Sequence, residues 1–330
     1  MKHLKDSPIT KRQLGNTDLW VTPVSLGCWP IAGMTSTHVN DVDSLATLQA
    51  ALDAGINFLD TAFGYGQNGE SEKLIAQAIK HRSDQVIIAS KVGMGWDQQP
   101  VRVFDASPAN IKHQCDTCLQ RLQRDHIDLL YLHAPDGKTP LEESAHAFSE
   151  LIGQGKIRFA GVSNLNALQL QQFSSACQIT AVQDYFNMLQ QSDRREVIQW
   201  CQANHCAFIA YWPLMKGLLA GQLPRDFHFS ETDSRRNYPL FQGQQWQRNQ
   251  DMVDELRALA LKLNKSVTEL VVQWTFRQPG ITSVLCGAKR ANQIWESARA
   301  MHWELPDSYL KKIDQIIQQR MSFEVDPQAV

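Results

Sequence analysis

Short apolar runs alternate with amphipathic helical stretches along almost the whole chain, and this alternation most constrains the fold. The runs are VSLGCW at 24–29, NFLDTA at 57–62, VIIASKV at 86–92, IDLLYLH at 127–133, IRFAGVSN at 157–164, TAVQDYFN at 180–187, AFIAYWPL at 207–214 and ITSVLCGA at 281–288. Helical spacing of apolar residues lies between or after them at 43–54, 71–80, 108–123, 141–152, 167–176, 194–203 and 292–301, with punctuation such as the capping Ser107 and the stop at Gly55. Continuous apolar strands flanked by amphipathic helices predict a parallel sheet. Eight strand–helix units within 330 residues match a closed (β/α)8 TIM barrel, whereas an open doubly wound sheet needs fewer units and usually a second domain. No Pro/Ser-rich linker or shift in composition divides the chain, so residues 1–330 read as a single barrel domain.

Some segments stand outside the repeat. Residues 11–24 alternate around a G-N-T-D turn and predict an N-terminal β-hairpin. Residues 215–250, after the seventh strand, are polar and aromatic with little periodicity, which predicts a long loop of the kind used as a lid or binding loop. Two helices, 251–263 and 266–277, follow where one would suffice, and a C-terminal helix is expected at 308–319.

Composition narrows the function classes. With 43% hydrophobic residues the chain can bury a large core, and its formal charge of −2, with 32 basic residues spread along it, suggests neither a nucleic-acid nor a membrane surface. The stretch MKHLKDSPITKRQLG has no apolar run of a secretory signal, and no segment approaches the roughly 18–20 apolar residues of a membrane span. Seven scattered cysteines read as free thiols in a reducing compartment. Cys115 and Cys118 form a C-x-x-C within a helical run, with no second pair at zinc spacing, and read as core residues. A cytoplasmic protein is the expectation.

In a barrel the C-terminal strand ends converge on one face, where chemistry sits. Here they supply Trp29, Asp60, Lys91, His133, Ser163, Asn164, Gln183, Tyr211 and Gly287, with Tyr65 on a glycine-flanked turn just past the second strand. Singly, Asp60 reads as a loop cap, and His133 before A-P-D reads equally as a turn hydrogen-bonding residue or a functional one. Lys91 is harder to explain structurally, because a lysine ending V-I-I-A-S is costly to bury unpaired. Together they are chemically coherent. A phenol has a pKa of about 10, and a nearby lysine cation would lower it. Asp60 would keep Lys91 charged, and His133 would orient a carbonyl oxygen that Tyr65 protonates as hydride arrives at carbon.

Gly64, Gly66 and Gly69 fit G-x-G-x-x-G after a strand, with Asp84 further on, which resembles a dinucleotide fingerprint. Three features oppose it. Asp60 interrupts the strand, Tyr65 puts a ring where backbone must approach pyrophosphate, and Asp84 precedes the next strand instead of ending it. The glycines read better as a hinge that presents Tyr65. Phosphate has a better candidate in G-A-K-R-A-N-Q at 287–293, where the last strand enters a helix. Lys289 and Arg290 there would suit a 2′-phosphate, hence NADP(H), and M-K-G-L-L-A-G at 215–221 could clamp the pyrophosphate.

These residues resemble the aldo-keto reductase superfamily over nearly the whole chain. D-T-A-x-x-Y at 60–65, the strand-end Lys91, L-H-x-P-D at 132–136, G-V-S-N at 161–164 and Y-x-P-L-x-x-G-L-L-x-G at 211–221 occur in family order. S-R-R-N-Y-P-L-F-Q-G at 234–243 is similar to bacterial members related to the potassium-channel β subunits. The resemblance implies an NADP(H)-dependent barrel whose floor is closed by the N-terminal hairpin. It implies Asp60, Tyr65, Lys91 and His133 as the catalytic tetrad. It further implies Ser163, Asn164 and Gln183 at the carboxamide and Tyr211 stacked on the nicotinamide. Leu214, Gly217 and Leu218 would line the pyrophosphate, with Gly287 and Lys289 at the phosphate end and Gln293 and Glu296 around the adenosine. Two positions depart from the family pattern: Trp212 stands where serine is usual, and Ser297 where asparagine often contacts adenine.

Reduction of aldehydes or ketones is the leading expectation. The same site run in the oxidising direction, as a sugar or polyol dehydrogenase, is a second. A low-turnover redox-sensing subunit that holds NADP(H) is a third, and a Schiff-base aldolase using Lys91 a fourth. Trp29, Phe63 and Trp96 are expected to wall the pocket and favour compact or partly apolar carbonyls. A small-molecule partner follows, with the chain acting as a monomer or homo-oligomer.

Overall fold

Eight parallel strands close into a barrel in the computed structural model of the chain, which describes residues 9–33, 39–82, 86–98, 101–231 and 233–321. The barrel strands are β3 (Val24–Gly27), β4 (Phe58–Asp60), β5 (Ile87–Val92), β8 (Ile127–Leu132), β9 (Ile157–Ser163), β10 (Ala181–Tyr185), β11 (Ala207–Tyr211) and β12 (Ile281–Gly287), and β12 pairs with β3 to complete the ring. The eight predicted strands and the barrel are therefore present.

The pleat separates two cores. Leu59, Ile88, Leu130 and Val162 face outward into the main core against the helices, while Phe58, Ala89, Leu129, Tyr131, Ile209 and Leu285 face the barrel axis. The hairpin β1 (Arg12–Gln13) and β2 (Trp20–Val21) adds Leu14, Leu19 and Val21 to the inner cluster and so plugs the barrel floor. One small residue makes room for the largest: a Cβ at Gly161 would lie 2.5 Å from the Tyr131 ring.

Several helices begin where their sequences provide partners for the unpaired first-turn N–H groups. Asn40 caps α1 (Asp41–Asp53), and Ser107 with Pro108 opens α3 (Pro108–Leu122). Capping boxes open α5 (Ala167–Ser174) from Asn166 and Gln169, and α8 (Val267–Phe276) from Ser266 and Glu269. The remaining predicted helices are α2 (Glu70–Ile79), α4 (Leu141–Gly153), α6 (Arg195–Ala203), α9 (Ala291–Arg299) and α10 (Asp307–Met321). Cys115 and Cys118 are buried on α3. Asp84 lies outside the described residues.

Two expectations about the connections change. The segment after the seventh strand is shorter as a loop, because α7 (Gly243–Lys262) starts eight residues before residue 251. Its first turns bury Trp246, Asn249 and Gln250, so the buried face is made partly of amides that hydropathy does not register. A second hairpin, β6 (Met94–Trp96) and β7 (Arg102–Phe104), was not expected; it rises between β5 and α3 beside the strand ends. Among the described residues, no helix is long and apolar enough to cross a membrane.

Candidate active site

The C-terminal strand ends bring Asp60, Lys91, His133, Ser163, Gln183 and Tyr211 to one mouth, joined by Tyr65 from the turn after β4. Lys91, 1% exposed, donates to the Asp60 carboxylate, to the Thr61 carbonyl at 2.9 Å and to the Tyr65 hydroxyl at 3.2 Å. The second Asp60 oxygen accepts from Gln183 at 2.7 Å. A cation that cannot be hydrated is thus held by a carboxylate, a carbonyl and a phenol, which meets the condition for burying it.

The turn that delivers Tyr65 needs its glycines. A Cβ at Gly64 would sit 2.8 Å from the Met94 sulfur, and Gly66 and Gly69 have φ of +96° and +74°. Glu70 and Glu72 occupy the first turn of α2, so the helix start after the G-x-G-x-x-G stretch is acidic and unsuited to phosphate. The Tyr65 ring packs edge-on against Trp29 at 5.0 Å and His133 at 6.0 Å, and Trp96 Nε1 donates to the Gly64 carbonyl at 2.8 Å.

Electrostatics separate the roles available to each group. Burial raises the Asp60 carboxyl, opposed by the Lys91 charge. Burial works against the Lys91 cation, but Asp60 and then Tyr65 more than offset it and leave the ammonium above its ordinary value. Burial holds the Tyr65 phenol above its ordinary value of 10.0, despite the opposing pull of Lys91. The expectation that Lys91 brings the phenol below its ordinary range is therefore corrected: the lysine only limits the rise that burial imposes. Burial, then the Lys91 and Arg102 charges, push His133 well below 6.5, so its imidazole is neutral near pH 7.

The candidate cofactor residues form two groups. At the mouth, Tyr211 donates to Asn164 Oδ1 at 2.8 Å, and Asn164 Nδ2 donates to the His133 carbonyl at 2.9 Å and to Ser163 Oγ at 3.0 Å. Asn164 reaches this position with φ of +62°. Tyr211, edge-on to Tyr185 and Trp212, is a half-buried ring already fixed beside Ser163, Asn164 and Gln183. Amides and a pinned aromatic platform fit a planar carboxamide-bearing ring.

The second group surrounds the start of α9. Gln293 Oε1 accepts from the Lys289 N–H at 2.8 Å and the Arg290 N–H at 3.2 Å, so these helix-terminal donors are already engaged. An anion here would also meet side-chain cations. The cations are present: the Arg235 and Arg290 charges add to burial in lowering the Lys289 ammonium, opposed by Asp233. Gly287 is exposed at the end of β12, and Glu296 is half-buried one turn along α9 from Gln293. Ser297 is 3% exposed and lies beside the Cys286 thiol.

Between the groups, Leu214 is half-buried, Gly217 has φ of +94° and Leu218 sends its side chain into the core, leaving only its backbone to line a ligand. Trp212, Met215 and Lys216 also have positive φ, an uncommon cluster for non-glycine residues. Lys216 Nζ sits 4.3 Å from the Trp212 ring centre and 4.4 Å from that of Tyr238. The indole where serine is usual is therefore one of two edge-on rings that flank a cation.

The expected pocket walls divide. Trp29 and Trp96 flank the Tyr65 turn, but the Phe63 ring lies against the Arg121 guanidinium at 4.5 Å and packs on the outer core. Phe63 is corrected from a pocket wall to a buttress behind the turn. A cavity of about 950 Å3 opens at the opposite end of the barrel near Lys11, Arg82, His126 and Arg158, away from these acid–base groups.

A (β/α)8 barrel with a buried lysine–aspartate pair against a tyrosine at its mouth is a barrel enzyme with acid–base groups where such enzymes carry them. The chain belongs to the aldo/keto reductase family, whose model matches residues 23–318. Over 318 residues it is 32% identical to the aldo-keto reductase YhdN of Bacillus subtilis (strain 168), covering 96% of each chain. It is 29% identical to the NADH-specific methylglyoxal reductase of Escherichia coli (strain K12), over 90% of this chain and 95% of that one. Among solved structures it superposes on the glycerol dehydrogenase AKR11B4 from Gluconobacter oxydans with a TM-score of 0.90 at 30% identity, covering 98% of this chain and 100% of that one. The aldo-keto reductase AKR11C1 from Bacillus halodurans, in its holo form, gives 0.77 at 26% identity, covering 98% and 99%. The family is one of oxidoreductases that use nicotinamide cofactors.

Proposed function

We propose that this protein reduces aldehydes or ketones to alcohols with NADP(H), and that Tyr65 is the proton donor. The observation that carries the reading is the Lys91 ammonium held by the Asp60 carboxylate while it contacts the Tyr65 hydroxyl. When bound, the nicotinamide supplies or accepts a hydride. Tyr65 supplies the proton to the carbonyl oxygen, and the Lys91 charge stabilises the phenolate that remains. Asp60 holds Lys91 in place and charged. His133, neutral at pH 7, orients the carbonyl oxygen by hydrogen bonding and does not compete as an acid.

Tyr211, Ser163, Asn164 and Gln183 would hold the nicotinamide ring, and Leu214, Gly217 and Leu218 the pyrophosphate. Lys289 would take the 2′-phosphate, beside Gly287, with Gln293 and Glu296 at the adenosine. The cation cluster of Lys289, Arg235 and Arg290 supports NADPH over NADH, although the E. coli relative is NADH-specific by name. The free, mostly buried thiols fit a reducing, cytoplasmic setting. The chain would act as one barrel unit on a small-molecule substrate.

Tyr65→Phe should abolish NADPH-dependent turnover of a simple aldehyde while leaving NADPH affinity largely intact in a fluorescence titration. Near-normal turnover would refute the assignment. Lys289→Ala should weaken NADPH by about tenfold or more, the scale of a lost charge-assisted hydrogen bond, and NADH far less. Equal losses would remove the 2′-phosphate role. Oxidation of glycerol and other polyols with NADP+ tests the reverse direction, prompted by the Gluconobacter structure.

A further inference from the structure

The unexpected hairpin carries a charge with an unusual setting. Arg102 on β7 pairs across the hairpin with Trp96 on β6, so the two side chains share a face. Its guanidinium lies 5.6 Å from the Trp96 ring and 5.1 Å from the Trp29 ring. Trp29 is itself the edge-on neighbour of Tyr65, and Trp96 is hydrogen-bonded to the residue before Tyr65. Two tryptophans thus hold one cation one ring away from the proton donor. The Arg102 charge also reaches His133, on the other side of Tyr65.

No carboxylate among the described residues lies within ion-pair distance of Arg102, whereas Arg121, Arg158, Arg194, Arg225, Arg235 and Arg277 all have one. The nearest acids along the chain are turned to the backbone: Asp97 accepts from the Val101 N–H at 2.8 Å and Asp105 from the Ser107 N–H at 2.9 Å. Arg102 is also exposed, so its fork of donors faces the solvent at the mouth. A guanidinium oriented by aromatic faces, with no acid in contact, is preorganised to bind an oxyanion in two-pronged fashion.

We propose that Arg102 is a substrate anchor, and that the preferred substrates are short aldehydes or ketones carrying a carboxylate or phosphate. This rests on the carbonyl-reductase reading and departs from the expectation of compact or partly apolar carbonyls by adding an anionic group. The tryptophans accept the apolar spacer, Arg102 takes the anion, and the carbonyl oxygen reaches Tyr65 and His133.

The test compares 4-formylbenzoate with its neutral methyl ester, and glyceraldehyde 3-phosphate with glyceraldehyde, as substrates for NADPH oxidation. The readout is the ratio of kcat/KM for the charged member to that for the neutral one. Arg102→Met should lower at least one ratio by about tenfold or more, and Arg102→Lys should restore part of it. Whichever pair responds identifies carboxylate or phosphate. Ratios that stay the same, whether or not all rates fall together, would mean that Arg102 merely pins the hairpin and would overturn the proposal. If no aldehyde is reduced, the carbonyl-reductase reading fails separately. Anion binding is then decided by titrating tryptophan fluorescence with benzoate and with benzamide. Saturable quenching by benzoate alone, lost in Arg102→Met, supports the anchor; equal responses or none overturn it.

Discussion

Two buried ion pairs sit back to back on β5, and they do different things. Lys91 points into the barrel, where it meets Asp60 and Tyr65. Its neighbour Ser90 points outward and donates to Glu72 at 2.8 Å, and Glu72 is paired with Arg121 at 3.2 Å. Both carboxylates are essentially inaccessible, at 1% exposure for Asp60 and 0% for Glu72. Both pairs also grip the same turn. Lys91 bonds the Thr61 carbonyl and the Tyr65 hydroxyl from inside, and Arg121 bonds the Phe63 carbonyl at 3.0 Å from outside. What differs is the surroundings: the inner pair adjoins a phenol at an open mouth, while the outer pair is sealed between α2 and α3. Burying charge does not by itself make a catalytic group. It does so where the charged atom can act on a group that a substrate reaches.

This contrast can be broken by experiment. Lys91→Met should lower kcat/KM for carbonyl reduction by about 10²–10⁴-fold, the range of a lost contribution to proton transfer. In that variant Asp60, no longer held down by the cation, should take up a proton. Infrared difference spectra should then show a carboxylic acid band absent from the parent. Activity within a few-fold of the parent would place the inner pair on the same footing as the outer one.

Glu72→Ala should act in the opposite sense. It leaves Arg121 uncompensated and should reduce the unfolding free energy by about 3–5 kcal/mol, read from urea denaturation. Turnover well below the unfolding midpoint should stay within about tenfold of the parent, because Lys91 still holds the turn from inside. A loss of turnover as large as that of Lys91→Met, with the fold intact, would make the outer pair part of the catalytic apparatus.

The pH profile gives the smallest and sharpest test. Reduction needs Tyr65 protonated, and its pKa lies above 10.0, so the rate should hold through neutral pH and fall only beyond that value. His133 lies well below 6.5 and is already neutral there, so no limb should appear near pH 6.5. An acidic limb centred near 6.5 would show that His133 titrates during turnover.

Much of the site was legible because barrel strands have a period of two and end on one face. Asp60, Lys91, Gln183 and Tyr211 could be read as inward-facing residues at the mouth once the apolar runs were aligned. Phe63 could not be assigned in the same way. It lies on a turn, where no periodicity sets direction, and Arg121, 58 residues away, draws its ring outward. The β6–β7 hairpin was also missed: its strands are three residues each and carry no alternation, although the Trp96 and Arg102 pairing turns out to face the mouth.

Gln293 shows a subtler limit. The family resemblance implied a contact with the adenosine, and the structure shows its side chain also closing the N–H groups of Lys289 and Arg290 just before its own helix. A capping amide and a ligand-binding amide are the same residue type at the same spacing.

The sequence by itself determined the barrel, its closing hairpin and the set of groups at the strand ends, because strand and helix periods and strand polarity are local properties. Only the tertiary structure decided which buried charge meets the phenol, which aromatic ring faces the mouth and where Arg102 comes to rest. Those depend on contacts between residues far apart in the chain, and no local pattern carries them. The pKa balance of Tyr65 was likewise decided there, since desolvation and the Lys91 charge act in opposite directions and only packing sets their relative size.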